Sequence, residues 1–360
     1  MQGAVLWAVG DTKLDVRDDL ELIRGPGSGE VQVRIRATGL CHTDLSVMDG
    51  TVPMPTPALL GHEAAGEIVA LGPGVTGVAP GDTVIVSWVP PCGRCKVCLA
   101  GQPNLCGAVA NPFMVTPTHR AGATEIYPLA GVGSFVEEIV LRQEAVVPIP
   151  KDVPLPVASI IGCAVMTGVG AAMQAARVEP GSSVVVFGCG GVGMSVIQGA
   201  RLCGAAEVAA VDYVAERLEA ARALGATHTY TPDRISDADE IHDGDGFDYA
   251  FEVVGRPETI RAAWNAARRG GTVVVVGAGG LDQMVEFSAF ELFYMEKTLL
   301  GTVYGSADVR RDFHRLLRLW RTGRLDLEAM VTKTIPISEI NDGLAALRQG
   351  EGIRSVVEFP

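Results

Sequence analysis

The sequence predicts an α/β chain in which a β-rich, partly open barrel precedes a doubly wound parallel sheet. Three observations carry that prediction. Ser183 to Asp212 reads as strand, glycine turn, helix, strand and terminal acid. Alternating strand and helix patterns then continue to Gly277. Before Pro156, short β-branched or alternating runs are broken by dense glycine and proline, with no such alternation of elements.

The opening runs are AVLWAV, a turn at Gly25 to Gly29, and the alternating VQVRIRA. The β pattern continues through GHEAAGEIVALG and Val84 to Val86, with Pro73, Gly74, Pro80 and Gly81 marking turns. A barrel of many short strands puts the side chains of interest on loops. Pro156 to Gln174 changes character, with small and apolar residues at helical spacing. The units that follow are VVVFG, EVAAVD, the helix EAARALGA, a strand at FDYAFEVV, a helix at Thr259 to Ala267, and a strand at Thr272 to Gly277. ELFYMEKTLLGTVYG contributes a final strand, and FHRLLRLWRTG an amphipathic helix with Phe313, Leu316, Leu317 and Trp320 on one side. A strand at Ile353 to Phe359 returns to β character, so the tail is expected to rejoin the first domain. The expected division is 1–160 joined by 305–360, and 161–304 between them.

The 360 residues are 48% apolar and 6% aromatic, enough for a large core in two domains. A formal charge of −13 argues against a nucleic-acid surface. No basic block, signal-peptide pattern or bilayer-length apolar run is read, so a cytoplasmic enzyme without membrane partners is expected. Seven of the eight cysteines lie in short, locally patterned settings, which favours metal ligation or core positions over a disulfide framework.

In the glycine turn each glycine has its own task. Gly188 makes the turn, Gly190 lets a pyrophosphate approach bare backbone, and Gly193 lets the helix pack close to the strand. Gly191 and Val192 open the helix, whose N-terminus holds phosphates. Asp212 stands about 20 residues further on, where a carboxylate accepts hydrogen bonds from an adenosine ribose. That acid favours NAD over NADP, since a 2'-phosphate would meet like charge and no Arg sits immediately beside Asp212.

Cys92, Cys95, Cys98 and Cys106, in CGRCKVCLAGQPNLC, offer four thiolates for a closed tetrahedral shell. Zinc suits it, with an iron–sulfur cluster as the rival. Such a site is structural. Cys41, in CHTD, His62, in GHE, and Cys163, in GCAVMTG, form a second set with one open position, although their sequence separation also permits isolated buried residues.

CHTD, GHEAAGEIVALGPGV, CGRCKVCLAGQPNLC, IGCAVMTGVGAA, VVVFGCGGVG and FEVVGRPETI together resemble the zinc-dependent alcohol dehydrogenases of the medium-chain dehydrogenase/reductase superfamily. The resemblance implies a GroES-like domain and a Rossmann domain, with two Zn²⁺ per chain and NAD. Cys41, His62 and Cys163 would bind the catalytic zinc and the four clustered cysteines the structural one. Glu63 would lie behind the catalytic metal, Asp44 would orient His62, and Thr43 would hydrogen-bond the substrate oxygen. Alcohol oxidation by hydride transfer to the nicotinamide is implied, with carbonyl reduction as the reverse.

Three positions depart from the family pattern. Ser46 stands where a relay histidine is common, so the proton path would end at Ser46 with water, or at His42. His42 replaces an Arg that commonly lies beside the pyrophosphate, while Arg354 matches a second such Arg. Arg217 matches a position that commonly carries Lys near the adenosine ribose. Trp88 and Tyr304 match positions expected near the substrate and nicotinamide, and Gly107 to Gly133 is expected as a long loop near the pocket. The resemblance also implies a homodimer or homotetramer joined through the strand around Val273 to Val276. GHEAAG and GRPET resemble thiol-adduct formaldehyde dehydrogenases as well, and a chain holding its nicotinamide tightly or a non-catalytic zinc protein are further alternatives.

Overall fold

A computed structural model describes residues 1–107, 115–238, 242 and 244–360. The chain forms two compact units. The first comprises Met1–Ala164, Asp308–Arg321 and Leu327–Pro360, the second Val165–Ala307 and Thr322–Asp326.

The first unit is built on strand Glu30–Gly39, whose alternating pattern buries Val31, Val33, Ile35 and Ala37 on one face. Glu63–Leu71 pairs antiparallel along its length, and on the other edge Glu138–Arg142 takes the first half and Arg354–Glu358 the second. The C-terminal tail thus completes the first sheet, with Val357 in its core cluster and Val356 buried on the opposite face. Thr83–Val86 and Val146–Pro148 extend the sheet on one side and Val331–Pro336 on the other, while a second six-stranded sheet includes Gly3–Leu6 and Thr124–Pro128. One apolar cluster, from Val5 and Leu59 to Phe135 and Leu344, fills the interior.

The second unit is a parallel sheet in the order His228–Tyr230, Glu207–Val211, Ser183–Phe187, Phe247–Glu252, Ala267–Val275, Thr298–Gly301. The inner strands Ser183–Phe187 and Glu207–Val211 are apolar and buried after their first residue, as in a sheet covered on both faces. Residues 322–326 belong here through Gln198, which exchanges two hydrogen bonds with the backbone of Asp326.

Several expectations change. CHTD is not carried by a loop: Cys41 is the N-cap of helix His42–Met48, with Asp44 accepting the Cys41 N–H at 2.9 Å. The strand expected at Thr272 to Gly277 runs instead from Ala267 to Val275, and ELFYMEKTLLG splits into helix Ala289–Tyr294 and strand Thr298–Gly301. That last strand, not the one through Val273, is one edge of the sheet; the Val273 strand is paired on both sides. Part of the expected loop at 107–133 is strand, at His119–Ala121 and Thr124–Pro128, and its 108–114 portion lies outside the described residues. Leu155–Ala176 is also apolar and long enough by composition to cross a membrane, contrary to expectation, but 78% of its most apolar window is buried in protein.

Candidate active site

Three local structures converge on Cys41, His62 and Cys163. Strand Glu30–Gly39 delivers Cys41 to the N-cap of the short helix. Antiparallel pairing of Gly39 with Glu63 then sets His62 beside it. Cys163 comes from the apolar helix where it widens into a π turn at Ile161–Val165, a distortion frequent at functional sites. Gly162 makes this approach possible, since a Cβ there would stand 2.8 Å from the Val86 carbonyl oxygen. One ligand atom from each of Cys41, His62, Glu63 and Cys163 lies within 4.8 Å of the others, and all four residues are buried.

Asp44 ties these pieces together. Its buried carboxylate accepts the N–H groups of Cys41 and Gly61, each at 2.9 Å, joining the helix to the segment that carries His62. The His62 Nδ1 is 3.6 Å from Asp44 Oδ1, an ion-pair distance beyond hydrogen-bonding range. Behind the cluster, Arg354 Nη2 lies 3.4 Å from Glu63 Oε1. Thr43 Oγ1 is 3.8 Å from Cys41 Sγ, Ser46 is half-buried one turn on, and His42 is exposed. Trp88 meets the His62 ring edge-on, with centroids 6.5 Å apart.

The electrostatics of the four residues are tightly linked. Hydrogen bonding to Cys163 holds the Cys41 thiol well below its ordinary range, and the same contact pushes Cys163 well above it. Burial opposes protonation of His62, but Cys41 and Asp44 outweigh it and raise its pKa. Burial pushes Glu63 up to about 8 against the pull of Arg354. Two thiols and an imidazole brought together in this way are a donor set that suits a divalent metal, which binds as the thiols give up their protons.

The cysteine quartet fits zinc on geometry as well. Its four sulfurs lie within 4.8 Å, and Cys95 Sγ to Cys106 Sγ is 3.8 Å. A tetrahedron with bonds of ~2.3 Å has edges of about 3.8 Å. Backbone N–H groups of Cys98 and Gly107 bring Cys95 down to about 6, whereas burial takes Cys98 up to about 12.

In the second unit the glycine turn follows strand Ser183–Phe187, with Gly188 at φ +97°. A Cβ on Gly193 would collide with the Gly188 carbonyl, while one on Gly190 would meet nothing within 4 Å. Bare backbone is therefore open at the N-terminus of helix Gly191–Leu202, as a pyrophosphate requires. Asp212 accepts the Cys189 N–H at 2.8 Å and the Val214 N–H at 3.0 Å. Arg217 Nη1 lies 4.0 Å from it, brought round by the helix that begins at Ala215. Tyr304 is only 2% exposed, so its ring is enclosed rather than offered as an open wall.

The Glu63–Arg354 pair and the role of Gly162 were not apparent from local sequence. Glu252, buried at the end of its strand with three donors on one oxygen, was also missed; its signal was an acid just before the glycine of FEVVG.

Residues 27–151 match the alcohol dehydrogenase GroES-like domain, and 191–321 the zinc-binding dehydrogenase domain. An NDMA-dependent alcohol dehydrogenase of Amycolatopsis methanolica is 39% identical over 351 residues, covering 94% of each chain. An S-(hydroxymethyl)glutathione dehydrogenase of Paracoccus denitrificans is 35% identical, again over 94% of each. Among solved structures, benzyl alcohol dehydrogenase from Acinetobacter calcoaceticus superposes with a TM-score of 0.92 at 34% identity, covering 100% of this chain and 99% of that one.

Proposed function

The chain belongs to the zinc-dependent alcohol dehydrogenases of the medium-chain dehydrogenase/reductase superfamily, and we propose that it transfers hydride reversibly between a primary or secondary alcohol and NAD. The observation that carries this reading is the buried convergence of Cys41, His62 and Cys163. Three such ligands leave a fourth tetrahedral position for substrate. They would hold the catalytic zinc, Cys92, Cys95, Cys98 and Cys106 the structural zinc, and Gly188 to Gly193 with Asp212 the dinucleotide. When bound, zinc supplies Lewis acidity toward the alcohol oxygen and the nicotinamide supplies the hydride acceptor.

The protein's own part is to orient substrate and move a proton. Thr43 Oγ1 would accept the hydroxyl proton while releasing its own outward, and His42, exposed on the preceding residue, would take it up. Ser46 lacks a basic nitrogen and would serve with water at the outer end. Arg217 would add positive charge toward the dinucleotide, while Arg354 is paired with Glu63. Trp88, edge-on to His62, would wall the substrate's apolar part, which favours an aromatic or allylic alcohol. The likeness to a benzyl alcohol dehydrogenase supports that choice.

The deciding experiment is a spectrophotometric panel of primary, secondary, allylic and benzylic alcohols with NAD. No NADH with any of them, from protein holding two zinc ions per chain, would remove the reading. The NDMA dependence named for one relative favours a second form, in which the nicotinamide stays bound and hydride leaves through an external acceptor. NAD that co-elutes with the protein in gel filtration separates that form from free exchange. The glutathione-adduct relative makes formaldehyde, with and without thiol, a necessary arm of the panel. A homo-oligomer is also proposed, joined along the edge strand Thr298–Gly301.

A further inference from the structure

We infer that Glu252 is a positioning residue for the dinucleotide, bracing the glycine turn from the side opposite Asp212; this rests on the nicotinamide reading above. Glu252 is fully buried and ends its strand level with Phe187, the residue before the turn. Its Oε1 accepts the N–H groups of Val254 at 2.8 Å and Gly255 at 2.7 Å, and the Thr259 hydroxyl at 2.7 Å. Three donors on one oxygen call for the full negative charge of a carboxylate rather than an amide dipole.

The backbone held in this way abuts the turn. A Cβ on Gly188 would stand 2.8 Å from Val254 Cγ2 and 3.1 Å from Val253 Cγ2, and one on Gly193 would stand 3.3 Å from that same Val253 atom. The Val253 N–H is bound by the Phe187 carbonyl at 3.1 Å, and the Glu252 carbonyl accepts from Val276 at 2.8 Å. On the other side, strand Glu207–Val211 runs in register with Ser183–Phe187, and Asp212 holds the Cys189 N–H. Two carboxylates at the ends of the two strands flanking the first therefore grip the turn through backbone donors. Ligands of open parallel sheets bind at these carboxyl ends.

The second oxygen, Oε2, is buried without a hydrogen-bond partner. A loop that needed only bracing would be served by a fully paired group, since an unpaired buried oxygen is costly. Keeping that charge at the sheet's ligand-binding edge points to preorganisation of the turn. Val254, 43% exposed on the braced loop, is an apolar contact held beside the site. Loosening the loop lowers the fraction of molecules competent to bind, and the apparent dissociation constant rises by the same factor.

The test is fluorescence titration of the full, zinc-loaded chain with NADH, for wild type, E252Q, T259V and T259S, with zinc content and thermal midpoint measured alongside. We expect the Kd for NADH to rise about tenfold in E252Q and about threefold in T259V, with T259S near wild type and two zinc ions retained throughout. Kd values within twofold of wild type in E252Q and T259V, even with a lowered thermal midpoint, would assign Glu252 a purely structural role and overturn the inference alone. If E252Q does not fold, the contrast between T259V and T259S decides in the same way. A wild-type chain that binds neither NADH nor NADPH would overturn the nicotinamide reading and this inference with it.

Discussion

The Arg354 guanidinium stands 3.4 Å from the Glu63 carboxylate, with 3% and 0% of the two side chains exposed. This pair binds the C-terminal strand to the GHE segment at the back of the Cys41, His62 and Cys163 cluster. Above about pH 8, where Glu63 is ionised, removing one partner leaves the other charge buried and uncompensated. Arg354→Met should therefore destabilise the protein by roughly 3–5 kcal/mol, and Arg354→Lys by less. Urea unfolding of the zinc-loaded chain measures it, and a loss of under about 1 kcal/mol would mean the pair is relaxed by water.

His119 makes stability depend on pH. Its Nε2 donates to the Glu138 carbonyl at 2.8 Å and its Nδ1 accepts from the Thr118 hydroxyl at 2.9 Å, so the neutral ring is fully satisfied. Burial lowers its pKa to about 4 from 6.5. The unfolded chain therefore binds the proton more readily. The stabilising contribution is complete above pH 6.5 and is lost as the pH falls toward 4, amounting to roughly 3 kcal/mol across that window. His119→Gln should flatten that part of the urea midpoint against pH curve, and an unchanged slope would show that the ring does not resist protonation.

Asp212 holds the Cys189 and Val214 N–H groups, and in the proposed dinucleotide site it would also face the adenosine ribose. Asp212→Gly should weaken NAD use and reduce discrimination against NADP at least ~10-fold, because it removes the repulsion and frees Arg217 to meet a 2'-phosphate. The ratio of kcat/KM values for the two cofactors reports this. Equal efficiency of the unmodified chain with both would contradict the assignment.

His42 and Ser46 divide the expected proton path. His42→Ala should slow alcohol oxidation roughly tenfold or more, and Ser46→Ala less than about threefold, since only the imidazole is basic near neutrality. A lost phosphate contact would chiefly weaken NAD binding, so the measurement is single-turnover hydride transfer with deuterated alcohol at saturating NAD across roughly pH 5.5 to 9. Superimposable profiles for wild type and His42→Ala would assign proton removal to water reached past Ser46.

The edge strand Thr298–Gly301 leaves Leu299 41% exposed, and Phe290 and Phe293 precede it at 67% and 78%. Leu299→Lys should split the expected oligomer, because edge lysines oppose strand pairing. Sedimentation of the unmodified chain as a stable monomer of 37.7 kDa at micromolar concentration would refute an oligomer.

Features set by neighbours a few residues apart were legible in the sequence by itself. The glycine turn from Gly188 to Gly193 is a local backbone problem with few solutions, and the spacing of Cys92, Cys95, Cys98 and Cys106 brings four sulfurs together through short turns. The βα alternation and the return of the tail to β structure follow from periodicity in the same way. Only the tertiary structure decided the long-range relationships. Cys41 and Cys163 meet because a ten-residue strand pairs Gly39 with Glu63 and a π turn faces Val86 across Gly162. Arg354 reaches Glu63, and the sheet ends at Leu299 rather than near Val273, for a related reason: strand order and register are settled by what each strand buries across hundreds of residues. Local composition carries no record of which distant strand supplies that cover.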